Sequence, residues 1–165
     1  LLTAAVAALG AATIVDNPVQ GAKDEMPVLQ WASTQTEKDA MFVAPISNLR
    51  VYLPIVSERA VFVGNGYPFV EAYMEEYTQR QRLVDGEFAE LERISGSWIG
   101  EKKQHYFASL QPSHFVELAN HYPVDYVVRD ASRTIPEATA WSNHSDAVVY
   151  KDDQHIVYDI ARLRP

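Results

Sequence analysis

Residues 40 to 44 read Ala-Met-Phe-Val-Ala, an apolar run of strand length with no polar alternation, and Pro45 closes it. A strand that faces water on one side alternates apolar and polar residues. An unbroken run implies cover on both faces, as in a parallel sheet flanked by helices. Proline has no N–H to give a sheet interior, so Pro45 marks the end of the run. Just upstream, Met26, Leu29, Trp31 and Ala32 end an amphipathic helix, and Thr34 to Lys38 supply a polar break. A helix end, a turn and a doubly covered strand in such quick succession predict an α/β domain.

The rest of the chain extends that pattern. The first helix is predicted from about Lys23 to Ser33, with Pro27 in its first turn. Ser47 is placed to cap a short helix through Leu53, where Leu49, Tyr52 and Leu53 share a face and Pro54 stops it. Arg59 leads into a second strand, Ala60 to Val63. After the turn Gly64-Asn65-Gly66, a helix is predicted from Tyr67 to Val84, with Val70, Tyr73, Met74 and Tyr77 as its buried stripe. Glu76 and Arg80 are spaced to pair across one turn of it. Asp85-Gly86 breaks that helix. Two further helices between residues 101 and 122 are parted by Gln111-Pro112, and a third strand covers Val124 to Val128. Residues 147–150 and 155–160, separated by Lys151-Asp-Asp-Gln154, read as a hairpin. The expected fold is a three-layer, Rossmann-like sheet of mostly parallel strands, with helices on both faces and the hairpin extending the sheet.

Composition narrows the function classes. The chain has 165 residues, a length suited to one domain with a real core. A net charge of −8 disfavours nucleic acid as a partner, and no basic cluster is interleaved with aromatics. Cysteine is absent, which removes disulfides, thiolate catalysis and Cys-ligated zinc. None of the histidines forms a zinc-binding pair, and His114 and His121 lie two turns apart on one predicted helix face. No G-x-G-x-x-G and no Walker lysine follows a strand, so no cofactor is expected. Residues 1–15 carry no charge and form an apolar run shorter than the roughly 20 residues a spanning helix needs. They are read as the end of a transmembrane helix or an export segment, with 16–21 a linker and 22–165 a single soluble α/β domain. The flank after the run shows no positive excess, which places the domain on the extracytoplasmic side.

A resemblance adds to this. Trp31, a short Thr-containing break, Asp39-Ala40, an apolar strand and Pro45 follow one another in that order. Arg59 to Val63, the segment from Tyr67-Pro68 through Tyr77 and Arg80, and His121-Tyr122-Pro-Val-Asp125-Tyr126-Val-Val128 continue it. The pattern, over residues 22 to 160, resembles a soluble domain of bacterial multi-pass membrane proteins similar to C-type glycosyltransferases, which take sugars from polyprenyl-phosphate carriers. Glu37 stands where relatives tend to have proline, and Gly64-Asn65-Gly66 replaces a more basic stretch.

The resemblance implies a membrane-anchored accessory domain that covers the membrane active site or contacts acceptor glycan, lipid-linked sugar or a partner. Its first partner would be the membrane-embedded part of its own parent chain. The acidic catalytic residue of such proteins lies in a membrane loop outside this sequence, so no catalytic residue and no metal ligand is assigned here. Contact candidates are residues flanking strand ends: Arg50, Arg59, Asn65 and Asp130, with Arg129 beside the last of them. Two alternatives stay open: a free-standing secreted ligand-binding module, and a small α/β enzyme with a crevice near Asn65 and Asp130.

Overall fold

The computed structural model describes residues 23–64, 73–89, 99–132 and 139–164. Helix α1 (Met26–Gln35) carries Pro27 in its first turn and buries Val28, Leu29 and Ala32. Strand β1 (Met41–Val43) follows, and α2 (Leu49–Val56) and β2 (Ala60–Val61) come next. The long return to the sheet uses α3 (Met74–Asp85), α4 (Gly100–Ser109) and α5 (Pro112–His121) before β3 (Tyr126–Asp130). A short α6 (Thr139–Ser142) then precedes β4 (Val148–Lys151) and β5 (His155–Asp159).

The five strands form one mixed sheet in the order β2-β1-β3-β5-β4. Strand β1 pairs in parallel with β2 and with β3, aligning Phe42 with Val61 and Tyr126. Strands β3 and β5 are antiparallel, with Val127 opposite Tyr158 and Asp130 opposite His155. Strand β4 pairs antiparallel with β5 through an irregularity between Val148 and Tyr150.

This order has a consequence for the site. The chain steps from β1 outward to β2, then back past β1 to β3. The buried residues of the strands fall into two separate clusters. Phe42, Val128 and Val157 pack with Val28 and Leu29 of α1 and with Leu49 and Leu53 of α2. Their alternate neighbours Val43, Val127 and Tyr158 pack with Val84, Phe107, Phe115 and Leu118 of α3, α4 and α5. The unalternating run therefore has apolar cover on both sides. A crevice opens beyond the C-terminal ends of β1 and β3, where the two crossovers diverge.

Several expected boundaries shift for local reasons. Helix α2 runs through Pro54 instead of stopping there. In the last turn, proline forfeits only one backbone bond, and burial of Leu49 and Leu53 holds the helix in place. Strand β3 begins two residues later than expected. Val124 and Asp125 serve as its entry, with the Asp125 amide donating to Met41 O and the Asp125 carboxylate accepting from Met41 N at 2.8 Å. The second ladder ends at Val61, although Phe62 N still donates to Phe42 O at 2.8 Å.

Just before α3, Tyr73 is not buried but 60% exposed; the inward face of α3 is Gln81, Val84 and Asp85. Glu76 and Arg80 form the expected pair. Val70, Asn65, Gly66 and residues 1–15 lie outside the described residues. Among the described residues no helix is long and apolar enough to cross a membrane.

Gly86 ends α3 with φ +63° and ψ −151°, a region that is almost exclusively glycine's. A β-carbon there would stand 2.8 Å from the Tyr106 ring. Gly86→Ala is therefore expected to lower unfolding free energy by about 1–3 kcal/mol, from backbone strain before any displacement of Tyr106. Urea unfolding checks this, and an unchanged midpoint would refute it.

Candidate functional site

Three segments meet at the crevice. The first is the turn after β1. Ser47 Oγ accepts from Leu49 N at 3.2 Å, and Gln104 Nε2 of α4 donates to Ile46 O at 2.8 Å. The second is the end of β3, where Asp130 Oδ1 accepts from Ser132 N at 2.9 Å and Ser132 Oγ at 2.6 Å. An Asx turn of this kind fixes the carboxylate at the strand end. The third is the β4–β5 turn, joined to the second where Ala131 N donates to Gln154 O at 2.7 Å.

These segments enclose a cavity of about 530 Å³. Its wall includes Ser47, Leu49, Phe107, Ala108, Arg129, Asp130, Gln154 and His155, and also Glu25 and Asp153. The size and the mix of apolar floor with a few converging polar groups suit a small organic ligand.

The charges around the cavity are organised differently from one another. Arg129 is 8% exposed. Its guanidinium donates to Ala108 O at 3.0 Å and lies 4.4 Å from the centre of the Trp141 ring. Burial lowers its affinity for the proton, while Tyr158 opposes that shift; the Tyr158 hydroxyl is itself pushed up by burial. The charge of Arg129 is thus largely spent inside the protein. His155 faces Asp130 across the β3–β5 ladder. Its side chain is 10% exposed, and its Nδ1 is buried with no hydrogen bond.

Asp152 builds the turn that presents Gln154 and His155. Its Oδ1 accepts from Gln154 N at 2.8 Å and His155 N at 2.6 Å, and its Oδ2 accepts from Tyr150 OH at 2.6 Å. Burial alone would raise its carboxyl, but the Tyr150 hydroxyl and the two amides outweigh that and hold it below the usual range. A depressed folded value means that the contribution is complete above the ordinary carboxylate range and is lost as pH falls through the folded value. Asp152→Asn is expected to cost about 1–3 kcal/mol at neutral pH. It should also flatten the loss of stability in acid. Thermal melts of both proteins between neutral pH and about pH 3, below the ordinary carboxylate value, check this. Parallel curves would refute it.

The residues expected from sequence end up in different places. Asp130 lines the cavity. Arg50 lies beneath it, 2% exposed, donating to Ala44 O at 2.9 Å and to both oxygens of Asp85 at 2.7 and 3.0 Å. Lys103 Nζ comes within 3.8 Å of the same carboxylate. Arg59 stands before β2, at the opposite edge of the sheet. It ties the end of α1 to the α2–β2 turn by donating to Ser33 O, Thr36 O and Ser57 O. Asn65 lies outside the described residues.

His155, Gln154 and Asp153 were not singled out from the sequence. Their signal was the hairpin turn, whose register alone brings them beside Asp130. Ser132 donates its hydroxyl to Asp130 and not to His155, so no nucleophile–base hydrogen bond forms among them. Among the described residues no three His, Cys, Asp or Glu side chains converge as a metal site would require. No protein-family model matches the chain, and no curated protein matches its sequence.

Proposed function

We propose that this chain is an accessory binding domain of a larger membrane protein similar to the C-type glycosyltransferases. It sits on the extracytoplasmic side and contacts an acceptor glycan, a lipid-linked sugar or a partner without catalysing the transfer. The finer architecture proposed is a three-layer, Rossmann-like domain whose C-terminal hairpin both extends the sheet and walls the site. One observation carries the binding role: the cavity of about 530 Å³ beyond the ends of β1 and β3. Ligands of doubly wound sheets bind in that position. The uncharged run at residues 1–15 and the order of the shared motifs support the membrane-bound parent.

A second reading, a small α/β enzyme working in the same cavity, is favoured by the placement of His155 opposite Asp130. A secreted binding module would use the cavity without a membrane parent. An antibody against residues 22–165 tests the membrane parent. A native band several times heavier than 18.6 kDa that resists alkaline extraction from membranes is expected. A soluble band near the mass of the chain would overturn the membrane parent.

A further inference from the structure

Helix α2, Leu-Arg-Val-Tyr-Leu-Pro-Ile-Val, is apolar on its outer face as well as its inner one. Leu49 and Leu53 fill the core, and Arg50, its one charged residue, is buried against Asp85. Val51, Pro54, Ile55 and Val56 remain outside. Val51 and Ile55 stand one turn apart and Val56 follows Ile55, so they form one patch. Single exposed aliphatics need no explanation, but a contiguous group marks a surface that meets a protein or a membrane.

The distribution of charge is a second observation. Helix α1, which packs beside α2 over the same face of the sheet, has no charged residue. Charges return beyond the helix ends, in mixed sign, at Lys23 and Asp24, at Glu37, Lys38 and Asp39, and at Glu58. The opposite helical layer exposes Glu75, Glu76, Arg82, Glu101, Lys102 and Glu117. A chain of net charge −8 thus keeps the outer face of one helical layer free of charge.

The occupant follows from the size of the patch and from the chain that leads to it. Val51, Ile55 and Val56 are 36%, 61% and 37% exposed, together little more than one aliphatic side chain. Covering that much shifts an equilibrium about 10- to 100-fold. Two free chains need about 800 Å² on each partner, so the patch is too small to hold a second copy by itself. A surface to which the domain is already tethered needs no more than this. Residues 16–22, which join the uncharged run 1–15 to the start of the described chain, span at most about 25 Å. Helix α2 is about 12 Å long and lies beside α1, so its whole length is within reach of whatever holds residues 1–15.

We propose that the outer face of α2 rests on a lipid bilayer, with Ile55 reaching the boundary between headgroups and acyl chains. This rests on the reading of residues 1–15 as a membrane segment. The lipid is zwitterionic, because the face offers no cation to an anionic headgroup and the net charge of the chain opposes one.

The chain has no cysteine, so Ile55→Cys provides a single site for an environment-sensitive nitrobenzoxadiazole label. Glu117→Cys, exposed on α5 in the opposite layer, provides the comparison. The full chain is reconstituted with dioleoylphosphatidylcholine vesicles, with and without a nitroxide on the acyl chain. The label on Ile55→Cys is expected to shift to the blue and to be quenched by the nitroxide, and the label on Glu117→Cys to do neither. With the label moved to Val51→Cys, adding Ile55→Glu should lower the ratio of docked to free face about tenfold, the scale of one aliphatic side chain. Vesicle-bound chain with both labels in water would overturn the contact and leave the anchor standing. Both labels responding alike would overturn the choice of α2. A blue shift without vesicles would also overturn it, indicating a second copy if it grows with protein concentration and the chain's own apolar run if it does not. No association with vesicles would remove both the contact and the membrane reading of residues 1–15.

Discussion

Asp85→Ala should lower the unfolding free energy by about 3–5 kcal/mol, the largest loss expected from a single polar substitution in this chain. The side chains of Arg50 and Asp85 are 1% and 0% exposed and are joined by two hydrogen bonds. Lys103 is fully buried and approaches the same carboxylate. Removing Asp85 takes from two buried cations the carboxylate that they share. Their repulsion and lost solvation, rather than the lost attraction, set the size of the effect. The pair also anchors the site, because Arg50 Nε donates to Ala44 O at the end of β1. Arg50→Lys is not conservative here, since an ammonium cannot make both carboxylate bonds and the carbonyl bond in that planar arrangement. Chemical denaturation measures both variants, and a midpoint within error of the parent for Asp85→Ala would contradict the account.

Phe42→Ala is expected to cost a comparable amount, about 3–5 kcal/mol. Phe42 has no exposed surface, stacks on Tyr126 with ring centres 5.0 Å apart, and meets the edge of Trp31. Its strand is pinned on both sides, by β2 and by β3, so the sheet cannot close over the void. The melting temperature should fall by roughly 10 °C, since a chain of this size loses a few degrees per kcal/mol. Phe42→Leu, which keeps most of the volume, should recover more than half of that loss. Equal melting temperatures for the two variants would show that volume at this position does not matter.

Much of the sheet was legible because its signals are local. The run from Ala40 to Ala44 states its burial by lacking alternation, and Gln111-Pro112 divides α4 from α5 where a proline must. Asp85-Gly86 ends α3 at a backbone conformation few other residues could hold. The failures share one cause, which is that a charged or polar letter reads as solvent-facing. Asp85 and Lys103 are fully buried, and Gln81 is 6% exposed, so the pattern of α3 and α4 misstates their inner faces. Asp85 and Lys103 are tolerable inside because a charged partner from another element meets each. That partner is invisible along the chain.

The site shows the same division. Asp130 could be found from sequence because a strand's C-terminal end is a place, and places follow from topology. His155 could not, because its position beside Asp130 depends on the pairing register of two strands far apart in the chain. The strand-end rule that points to Asp130 also points to Arg50 and Arg59. One lies under the cavity and the other at the far edge of the sheet, each engaged with protein acceptors.

The central claim is that the crevice beyond β1 and β3 is where this domain meets its ligand. The most direct measurement is amide chemical-shift mapping of the labelled chain against a mixture of small amines, neutral polyols and phosphate. The account predicts shifts clustered on residues 44–49, 104–108, 129–132 and 153–155, with the outer faces of α3 and α5 unmoved. Shifts confined to those outer faces, or no shifts at all, would contradict it.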